Sequence, residues 1–128
     1  RALDARPSLA SALANLGCLA IEAGDPREGM APLEEARSLY EILEDPVGVA
    51  KCNHDLGEAM VRLGKLDSAR SLLVDSLRQR VLLCDHRGST ENLESLARLF
   101  LYQEEPVKGA VALSAAERLR EELGMSRA

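Results

Sequence analysis

The sequence predicts an all-α array of antiparallel helix pairs, and three observations lead there. Leucines recur every forty residues: Leu16, Leu56 and Leu96; Leu33, Leu73 and Leu113; Leu3, Leu43, Leu83 and Leu123. Small residues keep the same ruler, as Gly17, Gly57 and Ala97, then Gly29, Ala69 and Gly109, then Ala36, Ser76 and Ala116. Within each unit the apolar residues fall at helical spacing, with Gly, Asp and Pro where helices stop and start. A unit this short cannot enclose a core alone and must stack on its neighbours. Such an array offers a recognition surface rather than a catalytic cavity.

The elements follow in order. Residues 1–4 fall in the columns that close a second helix, which predicts a further unit upstream. The first unit, 5–44, carries Leu9, Leu13, Leu16 and Ala20 on one stripe of a helix over 8–23. Gly24 ends that helix, Asp25 caps the next, and Pro26 sits where no N–H bond is required. The second helix carries Leu33, Ala36, Tyr40 and Leu43 and stops near Asp45-Pro46; Pro32 lies inside it and predicts a bend or a shifted start. In the second unit, 45–84, the helices run over 50–63 and 67–83 with Gly64 between them. The third, 85–124, opens after Gly88 with Ser89 or Thr90 as N-cap and Glu91 at the positive helix end. Its turn has Glu105-Pro106 in the columns where Asp25-Pro26 is expected to turn the chain. The small residues remove bulk where two helices approach, and Leu33, Leu73 and Leu113 fill the space one turn on. The third unit drifts, with Gln103-Glu104 for Leu63-Gly64 and a bulkier Phe100-Leu101-Tyr102, as a capping repeat does. The array is read as ending at the C-terminus, residues 125–128 being a tail.

Composition narrows the partners. A chain of 128 residues forms one domain with a real core if its units pack together. Two Tyr, one Phe and no Trp leave Leu and Ala to build it, which suits helix packing and suits strands poorly. A net charge of −5 argues against nucleic acid, whose phosphates need clustered Lys and Arg. Apolar runs fall far short of the roughly 20 residues a bilayer needs. Cys18, Cys52 and Cys84 lack CxxC spacing and, with His54 and His86, do not make a zinc set. They read as small apolar residues of a reduced, cytoplasmic protein. No metal or other cofactor is implied.

These columns resemble the tetratricopeptide repeat. That motif has a Leu-Gly pair, a small residue twelve positions after the Gly, a large apolar residue four further on and Ala three beyond. Leu16-Gly17, Gly29, Leu33 and Ala36 fit; Leu56-Gly57, Ala69, Leu73 and Ser76 fit with one change; Leu96-Ala97, Gly109, Leu113 and Ala116 with another. The unit is about six residues longer than the usual repeat, and Glu41, Val81 and Glu121 stand where a Pro would close the second helix. This longer form is similar to the MalT-like repeats at the C-terminal ends of bacterial signal-transduction ATPases and transcriptional regulators. Stretches 12–25, 33–73 and 115–124 carry that likeness. The resemblance implies a right-handed superhelix and a cytoplasmic sensor region that binds a protein, a peptide or another domain of its parent chain.

The family's inward positions, carried over, give a concave face. They are Ser11, Ala14, Asn15, Cys18 and Glu22 from the first unit, and Lys51, His54, Asp55, Glu58 and Arg62 from the second. The third adds Glu91, Glu94, Ser95, Arg98 and Tyr102. The resemblance gives Asn15 a role in bonding an extended peptide backbone, but Asp55 and Ser95 break a regular amide ladder. The Lys, Asn and Arg pattern of a carboxylate clamp is not matched. Taken singly, each residue also reads as part of a solvated helix face. Nothing here predicts an enzyme: Glu34-Glu35, Glu104-Glu105 and Glu121-Glu122 point apart on their helices, and no nucleophile elbow or phosphate loop occurs. The competing reading is a scaffold that self-associates through exposed end repeats.

Overall fold

A computed structural model describes residues 4–124 of the chain. Its described residues form six helices and no strand: α1 (Arg6–Glu22), α2 (Pro26–Ile42), α3 (Pro46–Arg62), α4 (Leu66–Leu82), α5 (His86–Tyr102) and α6 (Pro106–Leu123). The first residue of each helix lies twenty after that of the helix before. A finer period than the forty-residue one therefore governs the chain, because the two helices of a pair share one length and one connection.

Each connection has the same chemistry. Position 24 and its equivalents 44, 64, 84 and 104 are left-handed, with φ between 54° and 91°. The next N–H reaches back five residues to close the helix: Asp25 to Ala20 O at 2.9 Å, then Asp45 to Tyr40, Lys65 to Met60, Asp85 to Arg80 and Glu105 to Phe100. This is a Schellman closure, which favours glycine at the left-handed residue. Gly24 and Gly64 supply it, whereas Glu44, Cys84 and Glu104 adopt it with side chains. A left-handed non-glycine residue costs about 1–2 kcal/mol, and glycine gives back about 0.5–1 kcal/mol through its freer unfolded chain. Glu44→Gly is thus expected to raise stability by about 0.5–1 kcal/mol, read as a higher urea midpoint at unchanged slope.

Several expected boundaries move for this reason. The third pair starts at His86, with Asp85 as its N-cap accepting from Gly88 N at 2.9 Å; Ser89 and Thr90 lie inside the helix and bond back to Asp85 O and His86 O. Likewise α3 starts at Pro46, four residues earlier than read, with Asp45 accepting from Gly48 N at 3.1 Å. Asp25 holds the N-cap position of α2 without a side-chain bond. Pro32 is accommodated within α2, which runs on to Ile42.

Packing is pairwise and sequential: α1 on α2, α2 on α3, and so on to α6. Of the helices two apart, α1 meets α3 and α3 meets α5, but neither α2 and α4 nor α4 and α6 touch. The odd helices form the tighter row and the even helices splay, which gives a right-handed helical-repeat superhelix. Leu33, Ala36, Cys52, Leu56 and Ala59 fill one junction between pairs, and Ala69, Leu73, Leu96 and Leu99 the next. The close crossing of α1 and α2 requires glycine, since a Cβ on Gly17 would lie 2.6 Å from Leu33 Cγ.

The repeat columns are not equivalent at the ends. Leu33 and Leu73 are 0% exposed but Leu113 is 44%, and Leu56 is 2% against 55% for Leu16. The buried members are covered by a neighbouring pair, and no described residue supplies that pair beyond α1 or α6. In α1 the buried stripe is Ala10, Ala14, Gly17 and Ile21 rather than Leu9, Leu13, Leu16 and Ala20. Ala14, carried over as an inward residue, belongs to the core at 3% exposure.

Candidate functional site

The tighter row gathers a polar cluster from three helices. On α3, Lys51, His54, Asp55, Glu58 and Arg62 share one face because they are three or four residues apart. Asp55 of the second unit meets Cys18 of the first, and Ser95 of the third meets Glu58 of the second. Asp55 Oδ2 accepts from Cys18 Sγ at 3.0 Å, and the Ser95 hydroxyl donates to Glu58 Oε1. Around these rungs, Lys51 Nζ donates to Asp55 Oδ2 at 3.0 Å and Arg98 Nη2 to Glu58 Oε1 at 3.0 Å. Arg62 Nη1 reaches back to donate to the carbonyl of Ile21 at 2.6 Å, which also accepts from Gly24 N at 3.0 Å at the end of α1. The cluster borders a shallow cleft of about 200 Å³ between α1, α3 and α5 that includes Glu22.

Its charges are balanced inside the cluster. Burial pushes the Asp55 carboxyl up, but hydrogen bonds from His54 and Cys18 and the Lys51 charge outweigh that and hold it below the ordinary carboxylate range. A lowered folded-state value contributes stability above the unfolded pKa of about 3.9; that contribution is lost as pH falls through the folded value. The Cys18 thiol is pushed up to about 12 by burial and then by the Asp55 carboxylate. Cys52, fully buried beneath α2, is raised to about 11 by burial and then by Asp55. Neither is a thiolate at neutral pH. Iodoacetamide on the native chain is expected to modify the exposed Cys84 first, with Cys18 and Cys52 reacting only as the protein unfolds. Peptide mass mapping at short times reads the order, and early labelling of Cys18 would contradict this geometry.

Ser95, His54 and Asp55 match a hydrolytic triad in composition, with His54 Nε2 2.9 Å from Ser95 Oγ and Nδ1 3.5 Å from Asp55 Oδ1. The geometry differs from a triad in two respects. Ser95 gives its proton to Glu58 and accepts from Arg98 Nη2 at 3.2 Å, so its hydroxyl is not presented to His54 for deprotonation. Ser95 is 2% exposed in mid-helix, where backbone N–H groups are used within α5 and none is free to stabilise an oxyanion. What these contacts accomplish is register: they lock α1, α3 and α5 side by side.

Of the residues assigned inward, the structure brings Cys18, Glu22, Lys51, His54, Asp55, Glu58, Arg62, Ser95 and Arg98 into one neighbourhood. Asn15 and Tyr102 are exposed, with no side-chain hydrogen bond among the described residues. Glu94 instead faces α6, where Arg120 donates to it twice at 2.6 Å, and Glu91 lies 3.9 Å from Arg80 of α4.

A second polar network escaped the sequence reading. Arg80 is 6% exposed between α4 and α5, and its Nη1 donates to Asn92 Oδ1 at 2.7 Å and to Gly88 O at 3.1 Å. Asn92 Nδ2 donates in turn to Leu73 O, and Ser76 Oγ to Ala50 O. The equivalent positions one unit earlier are Ala36, Tyr40 and Cys52, so the same junction is apolar there. The available signal was three coordinated changes, Ala36 to Ser76, Tyr40 to Arg80 and Cys52 to Asn92, in columns forty residues apart.

The fold and the helix-bridging cluster define the class: this is a helical-repeat protein. Compared with known proteins, the chain matches no family model and no curated relative. Among the described residues no helix is long and apolar enough to cross a membrane.

Proposed function

We propose that the chain is a protein-interaction module of the tetratricopeptide type, in its longer MalT-like form, which binds a protein or peptide on the concave side of α1, α3 and α5. The observation that carries this reading is the division of labour on that row. Asp55, Glu58 and Ser95 are used up in holding helices together. Asn15, Glu22 and Tyr102 stand clear at the surface, beside Arg62 and Arg98, which retain unused guanidinium donors. A pre-ordered wall of mixed polar groups costs little entropy on binding. The parent would be a cytoplasmic bacterial signalling ATPase or transcriptional regulator, with the bound segment either foreign or another of its own domains.

The test replaces Arg62, Arg98 and Tyr102 with alanine together. Peptides selected from a random display library on the wild-type chain are expected to lose at least about tenfold in affinity, or 1.4 kcal/mol. The thermal midpoint should move by only a few degrees. Unchanged affinity would remove the site from this face. Exposure of Leu16 and Leu113 on the two end layers favours a second reading, a scaffold that stacks end to end. Concentration-dependent light scattering abolished by Leu113→Glu would support that reading instead.

A further inference from the structure

The outer surface over α5 and α6 differs in kind from the corresponding surface over α3 and α4. On the earlier surface Asn53 of α3 accepts from Arg37 of α2 at 2.9 Å and donates to Gln79 of α4 at 3.1 Å, a polar bridge across three helices. Forty residues on, those positions are Leu77, Leu93 and Leu119. On α6, Val107, Val111 and Ala115 replace the Asp67, Ser71 and Asp75 of α4. The result is an open apolar trough of about 360 Å³ over Leu93, Leu96 and Phe100, with Val107, Val111 and Ala115 along one wall. Val107 is 76% exposed and Val111 66%, and the apolar surface reappears on α4 at Val81. Repeat packing does not require these residues, since the polar set of the earlier surface supports the same helix arrangement.

We propose that this trough docks a short amphipathic helix whose apolar stripe is flanked by acidic residues. Hydrogen bonding favours a helix. The groove walls are helices with their backbone groups already paired, so an extended segment laid there would leave its own N–H and C=O groups unmet. A helix satisfies its own backbone, and the trough residues at steps of three and four run parallel to helix axes as a bed for it. The rim favours acidic flanks. Arg70 lies over the Phe100 ring at 5.3 Å, Lys108 lines the trough while paired with Glu105 at 3.1 Å, and Arg118 lines the adjoining hollow of α6, which shares Val107, Val111 and Ala115 with the trough; neither Arg70 nor Arg118 makes an ion pair among the described residues. This basic rim is set on a chain of net charge −5. A second copy docking by a two-fold axis would set the same cations against one another, which disfavours a dimer through this face.

The experiment uses the full chain and two fluorescein-labelled helical peptides of about 15 residues, with Leu at i, i+3, i+4 and i+7 and either Glu or Lys at every flanking position. The Glu peptide is expected to bind saturably, at least about tenfold tighter than the Lys peptide. Val111→Glu and Arg118→Glu should each weaken it by about tenfold, while the Arg62, Arg98 and Tyr102 triple variant should leave it unchanged. Both single changes sit on the exposed side of α6, and unaltered melting curves verify that folding is intact. Equal affinity for the two peptides, indifference to Val111→Glu, or no saturation would overturn the proposal. Sedimentation that reveals a dimer sensitive to Val111→Glu would overturn it in favour of a second copy.

Discussion

Asn92→Cys is expected to destabilise the chain by about 3 kcal/mol, because it strips a buried guanidinium of its best acceptor. Arg80 is held at 6% exposure by Asn92 and Gly88 O, its Nε has no hydrogen-bond partner, and its nearest carboxylates, Asp85 and Glu91, lie at 3.8 and 3.9 Å. These ion pairs are too long to compensate. Arg80→Tyr alone should also be costly, leaving Asn92 Oδ1 and Gly88 O without the donor they face. The informative variant is the triple Ser76→Ala, Arg80→Tyr, Asn92→Cys, which rewrites this junction in the chemistry of the one before. There Tyr40 lies across Gly48 as Arg80 lies across Gly88. A glycine at each crossing leaves room for either side chain. The triple is expected to recover most of the loss, with a coupling of about 2–3 kcal/mol from chemical denaturation of the cycle. Simple additivity would mean that the two junctions are not interchangeable. Buried charge of this kind is costly to leave unpaired and often dispensable as a set.

Leu73→Ala is expected to cost about 2–5 kcal/mol, and Leu113→Ala, in the same repeat column, well under half of that. Leu73 is fully enclosed, with its side chain against Gly57 and the Leu96 and Leu99 cluster, so truncation leaves a cavity that helices on two sides cannot close. Leu113 is 44% exposed and gives up little apolar burial. Equal unfolding midpoints for the two variants would contradict the layer order described here. The comparison measures what a column of identical residues cannot reveal, namely how much of each is covered by the next layer.

Much of the candidate site was legible once the period was known. Asn15, Asp55 and Ser95 share a column, as do Cys18, Glu58 and Arg98, and helical spacing puts both columns on one face. That Asp55 meets Cys18, and Ser95 meets Glu58, was not legible, since it depends on how far one pair is displaced along the next. Glu94 shows the limit. It shares the third unit's inward assignment, yet pairs with Arg120 of α6, and Ala14 in the same column is buried in the core. The starts of α3 and α5, at Pro46 and His86, lack a glycine at the preceding left-handed position and so carry no glycine stop signal in the sequence. Glu44, Cys84 and Glu104 make the same left-handed turn without glycine, at a cost the closed connection absorbs.

The sequence by itself determined that the chain is helical, that its unit is forty residues long and that small and large residues meet at fixed crossings. These are local or periodic properties, written in spacing. Tertiary structure decided which leucines of a column are buried, which polar residues are consumed in bridging helices, and that one outer surface is zipped by Arg37, Asn53 and Gln79 while the next lies open and apolar. Those outcomes depend on the neighbour each face meets. In a stacked array burial is a property of the interface between units, so no single unit carries it in its own sequence.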